Sequence, residues 1–206
     1  MNPVVVVRTG SANLASVVAS LERLDERAVV TDDPGLVRSA GLLVLPGVGS
    51  FGAAMRRLES SGCAQALRER IAEARPLLAI CLGLQLLLEE SEESQGVGGL
   101  GVVQGRAERF GPGVRVPQMG WNFVAPTPGC GLIEAASMYF ANSYRLREIP
   151  VGWEGATSEH GGTFVAALER GAVLACQFHP ELSGKDGRAV LARWLARARE
   201  AEGARC

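Results

Sequence analysis

Two short segments of the chain contain residue types that could perform nucleophilic chemistry. In Ala79–Gly83, Cys81 stands between an apolar run and an amphipathic stretch. In Cys176–Glu181, His179 and Glu181 are two residues apart, a spacing that lets both side chains point the same way. A thiol nucleophile needs a base to take its proton, and the base needs a carboxylate to set its tautomer. These three side chains therefore have the types and spacing of a Cys-His-Glu triad.

The context of Cys81 favours this chemistry but leaves a second interpretation open. A turn between a buried strand and a helix holds a nucleophile outward, and it needs small residues two positions away on either side. Ala79 and Gly83 are such residues. The positive end of the following helix dipole would favour a thiolate. Taken alone, however, Cys81 is equally compatible with a small apolar core residue, which cysteine often is.

The histidines narrow the choice of base. The chain has only two, so any chemistry that needs an imidazole must use His160 or His179. His160 lies in a polar stretch, Thr157–Gly162, that is typical of a turn and predicts no catalytic role. The alternative for His179 and Glu181 is a pair of ordinary surface residues.

A glycine-rich loop, Pro46–Gly52, follows an apolar strand. Ligands of parallel sheets collect at such strand ends, and glycine lets backbone N–H groups turn toward a developing oxyanion. A phosphate loop is the weaker interpretation, because the Walker spacing is missing and the only lysine, Lys185, lies elsewhere.

The first half of the chain alternates between strand and helix periodicity, which predicts a parallel sheet with helices on both faces. The predicted strands are Val4–Val7, Ala28–Thr31, Leu42–Leu45 and Leu77–Ile80. The predicted helices are one that buries Leu14, Val17, Val18, Leu21 and Leu24, followed by Ala53–Glu59, Ala64–Ala74 and Leu82–Glu90.

The second half is richer in glycine, proline and short β-prone pieces, which predicts antiparallel or mixed strands. We expect one α/β domain over residues 1–206, with a mostly parallel central sheet flanked by helices and an antiparallel β extension. An amphipathic helix with Val190, Leu191, Trp194 and Leu195 on one side closes it. The β-prone pieces are Val102–Arg109, Trp121–Ala125, Met138–Phe140, Pro150–Trp153, Phe164–Leu168 and Val173–Phe178.

Composition excludes several classes of protein. A hydrophobic content of 47% is too high for a disordered chain, and a net charge of −1 does not indicate a nucleic-acid or acidic-membrane partner. The longest uncharged apolar stretch, Pro76–Leu88, is shorter than the roughly 18 residues that span a bilayer. No export signal is evident, so a cytoplasmic protein is expected. The 5 cysteines lack CxxC spacing, which argues against a disulfide frame or a zinc site.

Together the motifs resemble those of the class I (triad) glutamine amidotransferases, and the resemblance runs from Val4 to the final helix. Ile80–Gln85 matches the nucleophile motif of that family, and Phe178–Glu181 its second motif. Within the family, the chain most resembles the glutaminase subunits of imidazole glycerol phosphate synthase. Three further segments carry that closer resemblance: Gly10–Leu14, Pro46–Gly52 and Val116–Asn122.

The resemblance implies a flavodoxin-like fold and a glutaminase mechanism. Cys81 would attack the carboxamide of glutamine to give a thioester, and His179, oriented by Glu181, would protonate the departing ammonia and then activate water. Backbone N–H groups of Val48 and Leu82 would form the oxyanion hole. The substrate's amino-acid end would be held by Gly49, Gln85, Asn142, Ser143 and Tyr144.

The resemblance also implies a partner but no cofactor and no metal. Ammonia would pass to a (β/α)8-barrel synthase subunit, in a heterodimer that makes imidazole glycerol phosphate and aminoimidazole carboxamide ribotide for histidine biosynthesis. A segment beside the active site would lie at the subunit interface. That segment comprises Gln118, Met119, Gly120, Trp121 and Asn122, for which the alternative is a hydrophobic turn around a core tryptophan.

Some positions depart from the family pattern. The family usually has Asp-Tyr-Gly at Arg8–Gly10, glycine at Ala12, glycine at Ala79 and histidine at Asn142. The resemblance therefore implies backbone contacts with the substrate at Asn142, and the family's contacts in the first loop do not carry over to this chain residue by residue. Two other functions stay open: a different free-standing amidotransferase, such as that of pyridoxal-phosphate synthesis, and an interaction subunit that keeps the triad without using it.

Overall fold

The chain alternates strands and helices through its first half, as the apolar periodicity predicts, and then turns to antiparallel strands. A computed structural model describes residues 2–10 and 14–205. Its strands are β1 (Val4–Val7), β2 (Ala28–Thr31), β3 (Leu42–Gly47), β4 (Leu77–Cys81), β5 (Glu90–Ser91), β6 (Arg106–Arg109), β7 (Gln118–Pro126), β8 (Ala136–Asn142), β9 (Tyr144–Arg145), β10 (Glu154–Glu159), β11 (Thr163–Arg170) and β12 (Val173–Cys176). Its helices are α1 (Leu14–Glu22), α2 (Pro34–Ser39), α3 (Phe51–Ser61), α4 (Cys63–Ala72), α5 (Leu82–Leu86) and α6 (Gly184–Gly203).

The main sheet joins a parallel half to an antiparallel half. Over the described residues it has 9 strands in the order β2-β1-β3-β4-β12-β11-β10-β7-β8. Strands β2, β1, β3, β4 and β12 run parallel. From β12 outward, each neighbour is antiparallel. The expected α/β fold with an antiparallel extension is thereby confirmed.

The core lies on both faces of this sheet. Along β1, the buried side chains of Val5 and Val7 join one cluster, which contains the apolar residues of α3, α4 and α5. Val4 and Val6 join the other cluster, against α1 and α6. Burial on both faces explains why β1, β3, β4 and β12 read as uninterrupted apolar runs rather than alternating ones.

Four element predictions are wrong in extent or type. The strand expected over Val102–Arg109 begins only at Arg106, because the N–H groups of Val102 and Val103 donate to the carbonyl of Leu87. Helix α5 ends at Leu86, not at Glu90, because the carbonyls of Leu86 and Leu87 accept N–H groups of Leu100, Val102 and Val103 from a returning loop at 2.8, 3.0 and 3.0 Å. Such long-range bonds replace continued helix. Residues 150–153 form a turn rather than a strand. Strand β10 includes residues 157–159, which the sequence indicated as part of a turn.

The segment Gly10–Leu14, which contributed to the resemblance, falls in part outside the described residues. None of the described helices combines the length and apolarity needed to cross a membrane.

Candidate active site

Cys81 sits on a strained elbow between β4 and α5. Its φ of +54° and ψ of −109° are unusual for a residue with a side chain, and strain of this kind persists only where the surrounding structure enforces it. The close approach of α5 to β3 enforces it here. A Cβ on Gly83 would lie 2.1 Å from the carbonyl oxygen of Leu45 and 3.5 Å from the Cβ of Ala79. Small residues at both positions therefore let the helix start against the sheet.

His179 and Glu181 lie just beyond β12, the parallel neighbour of β4. Their side chains are nearly buried, at 5% and 2% exposure, and Nδ1 of His179 lies 2.8 Å from Oε1 of Glu181. The backbone of this segment is tied to β8, since the N–H of His179 donates to the carbonyl of Tyr139 at 2.9 Å. The hydroxyl of Ser183 reinforces that link by donating to the carbonyl of His179 at 2.6 Å. The imidazole thus has a preset orientation.

The charge environment of His179 favours a protonated ring. Burial alone would lower its pKa, but hydrogen bonding and charge interactions with the Cys81 and Glu181 side chains overcome that and raise the pKa to about 10. The Nδ1 contact occupies Glu181, so the second ring nitrogen is the one available to the sulfur. At neutral pH the resting site therefore holds a proton on the imidazole.

The pocket above these residues has a volume of about 240 Å³. It brings together Cys81 and His179 with every residue that the sequence analysis assigned to glutamine binding or to the oxyanion hole. Those residues are Val48, Leu82, Gly49, Gln85, Asn142, Ser143 and Tyr144.

The glycine loop meets the elbow directly. In the parallel register of β3 and β4, Gly47 is paired with Cys81, so Val48 follows beside Leu82. A Cβ on Gly47 would lie 2.8 Å from the Cβ of Leu82, which only glycine avoids. The loop is also held by Thr9, whose hydroxyl donates to the carbonyl of Pro46 at 2.8 Å. Thr9 thus has a structural contact here although it departs from the family pattern.

Two residues of the site were missed by sequence reasoning. Glu93 lines the pocket, and its carboxylate accepts the N–H of Phe51 at 2.6 Å. Gln177 is fully buried, and its Nε2 lies 3.8 Å from the Cys81 sulfur. A signal existed for Gln177, which directly precedes the Phe178–Glu181 motif. Glu93 lies in a run of acidic residues that gave no such signal.

The segment expected at a partner interface divides between two faces of β7. Met119 and Trp121 are exposed at 66% and 59%, and Phe123, two residues further, at 56%. We call these three side chains the β7 apolar row. Gln118 is instead buried. Asn122 donates its amide to the carbonyl of Glu159 at 2.7 Å and so links β7 to the end of β10. Gly120 is partly exposed, with a φ of +125°.

His160 lies apart from the site. Its Nε2 is 2.9 Å from the carbonyl of Arg115, and its ring packs edge-on against Phe110. Among residues 2–10 and 14–205, no three His, Cys, Asp or Glu side chains are grouped as metal ligands would be.

The fold and site together correspond to a known family. The family model described as glutamine amidotransferase class-I matches residues 8–198. The chain therefore belongs to the class I glutamine amidotransferases.

Named relatives narrow the position within that family. The chain is 41% identical over 198 residues to an imidazole glycerol phosphate synthase subunit HisH from Symbiobacterium thermophilum, covering 94% of this chain and 93% of the relative. It is 44% identical over 183 residues to a HisH subunit from Thermus thermophilus, covering 89% and 91%. The chain thus falls among the HisH subunits, as the sequence motifs indicated.

Solved structures support the fold independently. A crystal structure of a glutamine amidotransferase superimposes with a TM-score of 0.77 at 22% identity, covering 95% of this chain and 98% of the other. A structure of PurLQS from Thermotoga maritima gives a TM-score of 0.66 at 18% identity, covering 95% and 99%.

Proposed function

We propose that this chain hydrolyses glutamine to glutamate and ammonia with Cys81, His179 and Glu181, and delivers the ammonia to a synthase subunit of histidine biosynthesis. The observation that carries the proposal is the pocket in which the Cys81 sulfur meets a buried His179–Glu181 pair. The HisH names of relatives such as that of Moorella thermoacetica, 42% identical over 199 residues, favour this particular amidotransferase.

In the first half of the reaction, the Cys81 sulfur attacks the carboxamide carbon and the carbonyl oxygen gains a negative charge. Backbone N–H groups of Val48 and Leu82 are the proposed donors to that oxygen. The C–N bond then breaks as His179 gives its proton to the leaving nitrogen, so ammonia departs and a thioester remains. A raised pKa suits His179 to this step, because the ring is protonated before the substrate binds.

In the second half, His179 must act as a base toward water. Acylation removes the anionic sulfur that helped to raise the pKa of His179, while its burial, which lowers the pKa, remains. Loss of the proton to ammonia leaves the ring neutral at this stage. The ring then takes a proton from water as the water oxygen attacks the thioester carbon; the C–S bond breaks, glutamate forms, and the Cys81 sulfur is freed with the proton back on the ring. The same residue thus serves both steps because its charged neighbour changes.

The pocket offers suitable groups for the amino-acid end of glutamine. Glu93 lines the pocket, and its carboxylate is the proposed acceptor for the substrate's ammonium group. Gln85 contributes an amide whose Nε2 donates to the carbonyl of Tyr144 at 3.2 Å. The wall at Asn142–Tyr144 supplies further backbone groups. These contacts would select a free amino acid rather than a peptide-bound glutamine.

The β7 apolar row is the proposed contact for a (β/α)8-barrel synthase subunit in a cytoplasmic heterodimer. Three large apolar side chains exposed in a row on one strand favour a protein interface. The barrel subunit would use the ammonia to form imidazole glycerol phosphate and aminoimidazole carboxamide ribotide. We further propose that the peptide near Gly47–Val48 becomes competent to bind the oxyanion only in that complex, so that glutamine is not wasted.

Glutamate release tests this proposal in three states: the chain alone, with the barrel subunit, and with the barrel subunit plus its nucleotide ligand. We expect little hydrolysis by the chain alone and a large rise in the full complex. Full activity of the isolated chain would remove the gating step, and no activity in any state would remove the glutaminase.

A further inference from the structure

A chain of buried amides connects the glutamine pocket to the nucleophile. Nε2 of Gln85 lies 3.2 Å from the carbonyl oxygen of Tyr144 and 3.0 Å from Oε1 of Gln177. Nε2 of Gln177 in turn lies 3.8 Å from the sulfur of Cys81. Gln85 lines the pocket, whereas Gln177 is wholly enclosed beneath it.

Donor and acceptor rules allow only one orientation of this chain. The carbonyl of Tyr144 can only accept, so it requires the N–H₂ end of Gln85 to face it. The second hydrogen of that N–H₂ group then requires an acceptor, which is the oxygen end of Gln177. The nitrogen end of Gln177 is left facing Cys81. A backbone carbonyl therefore determines, through two side chains, that the sulfur receives a donor.

A backbone carbonyl beside the sulfur has the opposite effect to the Gln177 amide. The carbonyl oxygen of Ala141 lies 3.8 Å from the Cys81 sulfur, and an acceptor there favours the neutral thiol. A donor favours the anion. Gln177 therefore opposes the effect of Ala141 on the sulfur.

We propose that Gln177 is a positioning residue for catalysis, whose amide holds the Cys81 sulfur in its anionic, reactive form and ties that state to Gln85 at the substrate pocket. The inference rests on the proposed function and deepens it. No bond is made or broken at Gln177. Substrate that engages Gln85 would tighten the same chain, which links occupancy of the pocket to readiness of the nucleophile.

The test is the pH dependence of Cys81 alkylation by iodoacetamide, followed by mass analysis of the peptide that contains Cys81. Gln177→Glu keeps the shape and the acceptor toward Gln85 but presents an acceptor to the sulfur, and Gln177→Met removes both bonds. We expect the pH midpoint of alkylation to rise by about one unit in both variants, since hydrogen bonds to charged groups have strengths of that order. For glutamine hydrolysis we expect kcat to fall at least about tenfold while KM changes little.

Cys176→Ala is the matched control. Cys176 is the buried residue directly before Gln177, at the end of β12, and has no place in the chain of amides. We expect it to leave the alkylation midpoint unchanged. Circular dichroism tests whether each of the three variants folds. If one glutamine variant fails to fold, the other still decides the question.

An unchanged midpoint in a folded Gln177 variant would overturn the inference and leave the proposed glutaminase intact. Alkylation needs no glutamine and no partner subunit. A chain that proved inactive as a glutaminase would therefore still give a clear result for Gln177.

Discussion

The pocket around Cys81 buries ionisable side chains, whereas the β7 apolar row exposes apolar ones, although β8 contributes to both regions. In the pocket, ionisable side chains are enclosed and paired, as in the 2.8 Å contact between His179 and Glu181. On the apolar row, large apolar side chains face outward, and Trp121 packs edge-to-face with Tyr139 at a centroid distance of 6.2 Å. Buried ionisable pairs and exposed rows of large apolar side chains are both uncommon in a monomeric protein, which supports the proposed chemistry in the first region and the proposed association in the second.

The largest expected effect comes from removing the proposed nucleophile of the pocket. Cys81→Ala removes the nucleophile, and we expect glutamine hydrolysis in the assembled complex to fall by about 10⁴-fold or more. Glutamate release measures it, with Cys130→Ala as a control thiol outside the pocket. Binding to the barrel subunit should persist in both variants, since neither change touches the β7 apolar row.

The second prediction concerns the carboxylate of the pair. Glu181→Gln keeps the shape but removes the charge that helps raise the pKa of His179, so that pKa should fall. We expect kcat to drop by about 10²- to 10³-fold, in the range typical of general acid–base groups. An NMR titration of His179 beside the kinetic assay checks both parts. A drop in kcat with an unmoved His179 titration would show that Glu181 acts in some other way.

The third prediction tests why the elbow tolerates its strain. Gly83→Ala would place a methyl group 2.1 Å from the Leu45 carbonyl oxygen, and overpacking of this kind costs about 1–3 kcal/mol in unfolding free energy. Gly203→Ala is the matched control, because a Cβ there meets nothing within 4 Å. Urea denaturation compares the two. Equal stability of both variants would mean that the close approach of α5 to β3 is not what requires glycine.

The fourth prediction concerns the β7 apolar row. Trp121→Ala should weaken binding of the proposed barrel subunit by about 2 kcal/mol, or roughly 30-fold in Kd, the scale of an aromatic interface hot spot. Its effect on unfolding free energy should stay within about 0.5 kcal/mol, as for other exposed positions. Calorimetric titration measures the first quantity, with Val151→Ala, at a site 97% exposed and outside the row, as control. Equal Kd values for the two variants would exclude the row as the interface.

The smallest expected effect is a pH dependence of the unfolding free energy that comes from His179. The pKa of His179 is raised from 6.5 to about 10 on folding. Its contribution to stability is therefore complete below pH 6.5 and is lost as the pH rises toward about 10. Urea titrations across this window should show a falling unfolding free energy, and a smaller fall in Glu181→Gln. An identical fall in a His179→Gln variant would assign the effect to other groups.

The sequence predicts local features of this molecule better than contacts between distant segments. Strands β1, β3 and β4 could be predicted because burial on both faces leaves an apolar run. Cys81, His179 and Glu181 could be proposed because their motifs are local. Helix α5 was predicted too long, since the bonds that end it come from Leu100 and Val103, far along the chain. The same limit applies to Glu93 and Gln177. Both enter the site through contacts across more than 40 residues, which periodicity and spacing do not encode.

Covalent trapping with the diazoketone analogue of glutamine tests directly whether Cys81 is the nucleophile that reacts with glutamine. Mass analysis of every cysteine-containing peptide then locates the label. We expect the label on Cys81 alone, protection by added glutamine, and much slower labelling of a His179→Gln variant. Labelling of Cys63, Cys130 or Cys176 instead, or labelling of Cys81 that glutamine does not slow, would contradict it.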